Sequence, residues 1–572
     1  MVSASAATDA AAKIAALEAA LSASREALGA SQAKIAELER ERDRLREAHE
    51  RTRLELELLK RRLFVAKAER VDTAQLELEF AAKLRQLEEL AGTLSVGQAA
   101  PEPPMGGDDE APSKKRKPRG RRDLDESKLP VERIELEDAQ LEEYVARGKA
   151  EVIGHEESRK LAWKRGGARV LVIARKKYRL VDHNDEAHLL TTAVPKELFP
   201  RSLAAPSFIA HVIVDKFCDG LPLHRQEDRF ARDGVPLDRG TMCRWLEDAG
   251  ATFGATVVAA MRADALRTAF CIATDATGVL VQPVRTPGKY TRQACRRAHF
   301  FVQIADRDHV FFEYAEKETS ATVGALFQGF TGYVQADAKS VYDALFREPD
   351  GDDPPDGVRH EVGCWSHARR KFWESACAKS AVAREGLYRL RRIFELDGSW
   401  RGRPHAEVRR LRDAHLRPHV DDFFAWVEVE YATVEHQRGL LRDALGYAHR
   451  QKHALTRFLD DGRLVLTNND SERQLRRIAV GRKAWLFVGS DDHGESAGHL
   501  FTLIASSRLH RLDPEAYLRD LIRVLPHWPR DRYLELAPKH WAQTRARLDS
   551  AQLDRELGDL SVPAPLAAPP PR

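Results

Sequence analysis

The chain has 572 residues, enough for several domains, and its 92 basic and 88 acidic side chains leave a net charge of only +4. Any nucleic-acid binding must therefore come from local basic patches. No apolar run reaches the roughly 18 residues of a membrane-spanning helix, and the N-terminus lacks a signal-peptide core, so we expect a cytoplasmic protein with no membrane contact. The six cysteines never form CxxC, so we expect neither a disulfide framework nor a zinc ribbon.

A heptad pattern covers residues 1–97. Its two apolar series begin at Ile14 and Leu17 and turn polar in the middle of the segment. Such a seam favours a self-associating coiled coil, and hence a homo-oligomer of at least two chains; a long solvated helix packed on its own protein is the alternative. Residues 98–130 are rich in proline and glycine and contain the basic run KKRKPRGRR, which indicates a flexible linker that could grip phosphates.

The next two segments differ in their periodicity. Residues 131–203 alternate short apolar and polar stretches and predict a small β-rich module. Residues 204–255 become helical, with a break at Gly234 and Pro236 and a new start after Asp238. This helix, turn and helix is compatible with a DNA-binding helix-turn-helix, and two ordinary packed helices explain the pattern equally well.

The second half of the chain predicts the main α/β domain. Residues 256–375 form strands and then alternating strands and helices, which implies a mixed sheet flanked by helices. Residues 376–460 are almost wholly helical and interrupt this sheet, which resumes in 461–510. Residues 511–560 predict a C-terminal helical region, and the proline-rich tail, 561–572, is expected to be disordered.

Three acidic residues stand in settings where a carboxylate is unusual. Asp275 (FCIATDATGVLVQP) and Asp337 (GYVQADAKSVYDAL) fall within apolar runs that predict buried strands, and Glu472 follows an Asn-Asn-Asp cap at the start of a basic helix. A buried carboxylate is costly unless it is paired or holds a metal, so the three could converge on two divalent cations. Ligation by oxygen alone suits Mg²⁺ or Mn²⁺ rather than zinc. The order of the acids matches that of a ribonuclease-H-like nuclease fold, although each acid alone is more often a turn or capping residue.

Basic side chains surround these motifs and predict contacts with a polyphosphate backbone. Trp485, in the same stretch as Glu472, could either fill a core or stack on an unpaired base. The candidate DNA-binding residues are Lys114, Lys115, Arg116, Lys117, Arg119, Arg239, Arg244, His367, Arg369, Arg370, Lys371, Arg473, Arg476, Arg477, Arg482 and Lys483.

These motifs, in this order, resemble the transposases of the insertion-sequence-66 family. The resemblance covers nearly the whole chain and rests on KRRLFVAKAER, QADAKSVYDAL, CWSHARRKFWE, LTNNDSERQLRRIAVGRKAWLFVGSDDHGESA and LIASSRLHRLDPEAYLRDLI. It implies a DDE transposase whose ribonuclease-H-like mixed sheet is interrupted by an all-helical insertion. Asp275, Asp337 and Glu472 would be its catalytic acids and metal ligands. His367 and Arg370, in CWSHARR, would support the site or contact DNA.

Two features depart from the family pattern. The zinc-binding module that commonly follows the linker has no cysteine here, and His155 and His183 are too few to ligate zinc. We therefore expect a module that keeps its β structure without metal. A second acidic residue often follows the first catalytic Asp in the family, but Ala276 stands there in this chain, which should leave a two-metal site intact.

The resemblance also implies an activity and partners. Such a protein binds the terminal inverted repeats of an insertion sequence, cleaves at the ends and joins the 3′-OH ends to target DNA with two Mg²⁺ or Mn²⁺ ions. Expected partners are DNA, a second copy of the chain and small accessory proteins encoded by the same element. Two alternatives stay open: a ribonuclease-H-like nuclease without strand transfer, and a non-catalytic DNA-binding coiled-coil protein.

Overall fold

The computed structural model describes residues 129–566, except 165, 182–186, 284–293 and 348–357, together with scattered helical positions between 32 and 56. The predicted coiled coil and basic linker therefore lie almost wholly outside the described residues. No helix in the described part of the chain has both the length and the apolar run needed to cross a bilayer. The chain divides into two compact units, one of residues 1–116, 371–388 and 436–444 and the other of all remaining residues.

A first sheet follows the linker, in the segment predicted to be rich in β structure. Its middle strand is the run GARVLVIARKKYRLV, whose β-branched residues suit a pleated surface. This strand, β3, pairs in parallel with β1 and antiparallel with β2 and β4. The strands are β1 (Val131–Leu136), β2 (Ala150–Lys164), β3 (Gly167–Val181) and β4 (Ala187–Thr191).

The helix α1 (Ala139–Ala146) within this region was not predicted. Its start is set by Asp138, whose carboxylate accepts hydrogen bonds from the backbone amides of Gln140 at 3.0 Å and Leu141 at 3.2 Å. An Asp before a run of good helix formers was the signal that could have found it.

Four helices follow the first sheet. The predicted break at Gly234 and Pro236 separates the second from the third of them, and Asp238 caps the third by accepting a hydrogen bond from a first-turn backbone amide at 2.6 Å. One π-helical turn, Gly250–Gly254, joins the last two helices. The four are α2 (Pro206–Phe217), α3 (Leu223–Arg232), α4 (Arg239–Ala249) and α5 (Ala255–Thr268).

A second, five-stranded mixed sheet occupies the segment where strands and helices were predicted to alternate. Its order is β7-β6-β5-β8-β9, in which β6 is antiparallel to both of its neighbours, β5 and β7, and β8 is parallel to both of its neighbours, β5 and β9. The predicted hairpin with its turn at 306–308 joins β6 to β7. The strands are β5 (Cys271–Val281), β6 (Arg296–Ala305), β7 (His309–Ala315), β8 (Gly332–Gln335) and β9 (Arg359–Val362).

The described chain after α5 is mainly helical outside the strands, including residues 376–460, the segment that was predicted as a helical insertion. The helices are α6 (Ser320–Leu326), α7 (Trp365–Cys377), α8 (Ala381–Ser399), α9 (His405–Leu411), α10 (Arg417–Val434), α11 (Leu440–Arg450), α12 (Lys452–Thr456), α13 (Asn469–Trp485), α14 (Asp491–Leu509), α15 (Pro514–Val524), α16 (Pro538–Arg545) and α17 (Ser550–Asp554). A second π-helical turn, Arg412–Leu416, joins α9 to α10. Short 3₁₀ helices lie at Ser340–Phe346, Arg457–Leu459, Leu525–His527 and Arg530–Leu536.

The helix α14 covers the edge of the sheet at β7. The hydroxyl of Thr502 accepts a hydrogen bond from the backbone amide of Phe312 at 2.8 Å, and that of Ser506 accepts one from Val310 at 3.0 Å. A Cβ at Gly498 would lie only 2.5 Å from the carbonyl oxygen of Phe312, so glycine permits this close approach. Side-chain hydroxyls of α14 thus bond to backbone groups of β7 that would otherwise be free to pair with another strand.

The C-terminal helices extend this packing. Arg547 donates to the carbonyl oxygen of Ala564 at 2.6 Å, and the backbone amide of Leu566 donates to Glu535 at 3.0 Å. The first residues of the tail that was predicted as disordered thus bond to the helical region. Residues 567–572 lie outside the described residues.

A buried charge cluster anchors the C-terminal region to the sheet. Asp264, on α5, lies 3.2 Å from Nε2 of His309 and 3.1 Å from Nζ of Lys539, on α16. The hydrogen bond with His309 lowers the pKa of Asp264; burial opposes this effect, and Lys539 adds to it, so the pKa lies well below its ordinary value of 3.8. The ionised carboxylate therefore stabilises the folded chain.

Replacing this carboxylate should weaken the fold. Asp264→Asn is expected to destabilise the domain by about 1–3 kcal/mol at neutral pH, since it removes the buried charge that bonds to His309 and Lys539. Lys539 keeps its second partner, Asp308, at 2.7 Å. Because the folded-state pKa is depressed, the stabilisation is complete above the unfolded pKa and declines as the pH falls below it. Urea denaturation at neutral pH and near pH 3 should show a smaller acid-induced loss in Asp264→Asn than in the wild type. Equal loss in both, with Asp554→Asn as the exposed control, would contradict this role.

Candidate active site

Asp275 lies in the middle of the central strand, β5. Its register partner on β6 is Val302, and one carboxylate oxygen accepts a hydrogen bond from the backbone amide of Ala276 at 2.7 Å. Burial raises the pKa of Asp275 to about 6; the Ala276 amide and Lys339 oppose this, while the nearby Asp337 and Glu472 charges contribute to it. A like-charge environment of this kind is common at functional sites.

Asp337 was predicted to lie within a buried strand, and this prediction is wrong. It follows the end of β8, which stops at Gln335. Its position nevertheless brings it near Asp275. Ala273 pairs with Gln335, the last residue of β8, so Asp337 directly follows the strand that lies beside β5, and its charge contributes to the raised pKa of Asp275. Strand pairing has ended at this point, which frees the second carboxylate from the constraints of the ladder.

The Asp337 carboxylate is incompletely satisfied within the described residues. Its Oδ1 atom is buried and accepts no hydrogen bond there, while Oδ2 lies 3.6 Å from Nζ of Lys339. Lys339 also lies 3.2 Å from Glu318. Burial lowers the pKa of Lys339, but the charges of Asp337, Glu318 and Asp275 together raise it above its ordinary value. A buried oxygen without a partner is a site where a cation or a donor would be stabilising.

Glu472 occupies the first turn of α13 and faces two cationic side chains of α7. Nε2 of His367 lies 3.6 Å from the Glu472 carboxylate, and an Nη atom of Arg370 lies 3.9 Å from it. Hydrogen bonding with Cys364 raises the pKa of His367; burial opposes this, and the carboxylates of Asp337 and Glu472 reinforce it. His367 therefore lies between the second and the third acid.

Asn468 connects the elements that carry the site. It was predicted to cap α13, but its side chain makes no capping bond and donates instead to the carbonyl oxygen of Thr274 at 2.6 Å. Its backbone amide donates to Sγ of Cys364 at 3.3 Å. One buried residue thus joins the start of α13 to β5 directly before Asp275 and to the loop that begins α7. The sequence offered no signal for this role, because both partners are distant in the chain.

The segment before Asn468 makes two further bonds across the site. Nε2 of Gln335 donates to the carbonyl oxygen of Val465 at 2.7 Å. The backbone amide of Trp365 donates to the carbonyl oxygen of Leu466 at 3.0 Å. The end of β8 and the start of α7 are therefore held against the irregular stretch that leads into α13.

The predicted basic residues have different surroundings. Arg482 donates to the hydroxyl of Thr277 at 3.2 Å and to the carbonyl oxygen of Gly278, so it braces α13 against β5. Burial lowers the pKa of Arg477. His367 lies beside Glu472, and Lys371 is half-buried on α7. Five candidates lie outside the described residues: Lys114, Lys115, Arg116, Lys117 and Arg119. The exposed members are Arg239, Arg244, Arg369, Arg370, Arg473, Arg476 and Lys483.

The three acids influence one another's charge but do not form a finished metal cluster. Among the described residues, no group of three or more His, Cys, Asp or Glu side chains is arranged to hold a metal ion. The donor set still fits a hard divalent cation, because it consists of carboxylate oxygens, one of them buried without a partner. Zinc, which prefers nitrogen and sulfur ligands, fits this set less well.

Comparison with known families finds three matches. The family described as "Transposase IS66 family" matches residues 201–496, the "IS66 C-terminal element" matches 502–539, and the "Transposase C of IS166 homeodomain" matches 51–134.

Similar curated proteins include three uncharacterised proteins of Sinorhizobium fredii. The protein y4qI is 28% identical over 397 residues, which are 68% of this chain and 71% of the relative. The protein y4hP is 27% identical over 385 residues, 62% of this chain and 65% of the relative. The protein y4jD is 26% identical over 380 residues, 62% of this chain and 70% of the relative.

The position of Asn468 generates a prediction about local stability. Asn468→Ala removes the donor to Thr274 and should lower the opening free energy of residues 465–472 by about 1–3 kcal/mol. Hydrogen–deuterium exchange should therefore speed up in this segment and around residue 274. The exposed neighbour Asn469→Ala is the matched control and should leave exchange unchanged. Similar exchange in both variants would show that Asn468 does not hold the site together.

Proposed function

Because the chain belongs to the IS66 family of transposases, whose family match at 201–496 includes all three acids, we propose that it catalyses phosphoryl transfer on DNA by a DDE mechanism. The observation that supports this proposal is the closeness of the three acids, because the charges of Asp337 and Glu472 both contribute to the raised pKa of Asp275. In this proposal the enzyme binds the terminal repeats of its element, cleaves at the ends and joins the 3′-OH ends to target DNA.

The catalytic core is proposed to be ribonuclease-H-like. Three antiparallel strands followed by two parallel ones, in the order β7-β6-β5-β8-β9, support this assignment. The first acid lies on the central strand, the second just after the adjacent parallel strand, and the third on a helix that follows the helical insertion. Each acid thus comes from a separate element, so the chemistry depends on the packing of all three.

Asp275, Asp337 and Glu472 are the residues that would hold two Mg²⁺ or Mn²⁺ ions. When bound, such ions lower the pKa of an attacking water or 3′-OH and neutralise charge on the reacting phosphate. The raised pKa of Asp275 and the unpartnered oxygen of Asp337 support cation binding, since a cation would stabilise both carboxylates in their ionised forms.

The surrounding side chains position these acids and the DNA. Lys339 offsets part of the charge of Asp337, and His367 and Arg370 do the same for Glu472. The exposed cations Arg473 and Arg476 follow Glu472 on α13 and would contact backbone phosphates. The attacking group in this reaction is a water or a DNA hydroxyl, so the protein needs no nucleophilic serine or tyrosine.

The other parts of the chain are proposed to organise the DNA ends. The helices α3 and α4 would bind a terminal repeat, with Arg239 and Arg244 exposed on α4. The heptad segment would pair two subunits, because both ends must be joined in concert. Small accessory proteins of the same element would complete the assembly.

A strand-transfer assay tests the chemistry. The purified chain, with Mg²⁺ or Mn²⁺, would be given a labelled duplex from the DNA that borders its gene and a plasmid target. Asp337→Asn and Glu472→Gln are each expected to lower joining by at least about 100-fold, because each removes an ionised metal ligand. Asp470→Asn changes an exposed acid in the same turn of α13 and is the matched control, expected to join normally.

The other outcomes separate the rival functions. Cleavage without joining, even with a precut 3′-OH end, would indicate a nuclease. Tight DNA binding without reaction, unaffected by either substitution and by added accessory proteins, would indicate a non-catalytic DNA-binding protein.

A further inference from the structure

A cavity of about 430 Å³ lies at the far end of α13 from Glu472. Its walls come from α2, from α3 and α4, and from residues 484–501, which include the start of α14. We call it the aromatic cavity because five of its lining side chains are aromatic: Phe217, Phe300, Trp485, Phe487 and Phe501. Its volume falls in the range of about 300–1,000 Å³ that small-molecule sites occupy.

The rim of the aromatic cavity is a fixed apolar tip. Leu486 has a φ of 66°, a left-handed conformation that is costly for a branched side chain, and it is 62% exposed. Phe487 is 40% exposed beside it. The next residue, Val488, exchanges backbone hydrogen bonds of 2.8 Å with Leu280 and Gln282 at the end of β5. The strained tip is therefore held in place while its two large apolar side chains face solvent.

Polar groups also line the cavity. The exposed Arg239 supplies positive charge and Gln282 supplies an amide, while burial lowers the pKa of Lys216. His493 is held by the hydroxyl of Ser490 at 2.7 Å and by Glu247 at 3.2 Å. The site therefore combines aromatic faces, hydrogen-bonding groups and one exposed cation.

We propose that the aromatic cavity receives one unstacked nucleobase of the bound DNA, and that Leu486 and Phe487 fill the gap that this base leaves in the stack. The proposal rests on the proposed function. Aromatic faces stack on any base, apolar side chains stabilise an opened base step, and flipped bases are read by polar groups in a pocket. Arg239 would neutralise an adjacent phosphate.

A nucleic-acid occupant suits the site better than a protein partner. Two exposed apolar side chains make a patch far smaller than a stable protein interface, which needs about 800 Å² from each partner. The helix α4, which carries Arg239, belongs to the pair proposed to bind a terminal repeat. The aromatic cavity thus opens where two elements proposed to contact DNA meet.

The geometry also predicts where the base lies. Glu472 is in the first turn of α13 and Trp485 is its last residue, which separates them by roughly 20 Å along the helix axis. With a rise of about 3.4 Å for each base step, the unstacked nucleotide should lie roughly six steps from the reacting phosphate.

An abasic scan tests this inference. Duplexes from the DNA that borders the gene would carry an abasic analogue at one position at a time, and their affinity would be measured by fluorescence anisotropy. At the position whose base enters the cavity, the abasic analogue removes the cost of unstacking. We expect affinity to rise roughly tenfold there and to stay level or fall elsewhere.

Two substitutions link the effect to the cavity. Ala497→Phe fills the aromatic cavity and should weaken binding of the intact duplex. The abasic analogue at the one sensitive position should restore that binding, because it has no base for the cavity to receive. Leu486→Ser removes the exposed tip and should also weaken binding without filling the cavity, which keeps the test valid if Ala497→Phe folds poorly. Val429→Ser, at an exposed valine of α10, is the matched control and should bind like the wild type.

Three results would overturn the inference. The first is a flat scan in a wild-type protein that performs strand transfer. The second is an Ala497→Phe variant that binds the intact duplex like the wild type, or whose lost affinity the abasic analogue does not restore. The third is a Leu486→Ser variant that changes self-association but not DNA affinity. The last would make the tip a protein interface. Absence of strand transfer in the wild type would instead contradict the proposed function, so the two failures are distinguishable.

Discussion

The hydrogen bond from the side chain of Asn468 to the carbonyl oxygen of Thr274 is the interaction on which the geometry of the candidate active site depends. The three acids are separated by long stretches of chain, and one of those stretches contains a complete helical insertion. Strand pairing brings Asp275 and Asp337 near each other, because Asp337 follows β8, the parallel neighbour of β5. Glu472 lies on a helix and has no such strand pairing. It reaches the other two acids because Asn468, four residues earlier, is bonded to the strand that carries the first of them.

Electrostatics explains why this arrangement needs partners beyond the sheet. Three carboxylates in a partly buried space repel one another, and burial together with this repulsion raises the pKa of Asp275. Lys339 offsets part of the charge beside Asp337, and His367 and Arg370, both on α7, do so beside Glu472. The remaining negative charge and the unpartnered oxygen of Asp337 favour a divalent cation. DNA phosphates would then approach a site that cations have made less negative, and the exposed arginines of α13 lie beside it.

Much of the local structure could be predicted from periodicity. The strand around Asp275, the hairpin at 306–308 and the helix after Asp238 all follow from alternation, turn residues and capping. Long-range contacts could not be predicted in this way. Asn468 looked like a cap because Asn is common there, and its partner Thr274 is far away in sequence. Arg482 looked like a DNA ligand, yet it donates to β5. The aromatic cavity is formed by segments that only folding brings together. The sequence alone therefore could not decide whether Trp485 fills a core or stacks on a base.

The central claim is that Asp275, Asp337 and Glu472 act together as one metal-binding site. The most direct measurement is the number of Mn²⁺ ions bound per chain, determined by electron paramagnetic resonance in the presence of a duplex from the DNA that borders the gene. The account predicts about two ions in the wild type and in Asp470→Asn, and fewer in Asp275→Asn, Asp337→Asn and Glu472→Gln. Equal binding by the wild type and by a variant with all three substitutions would contradict it.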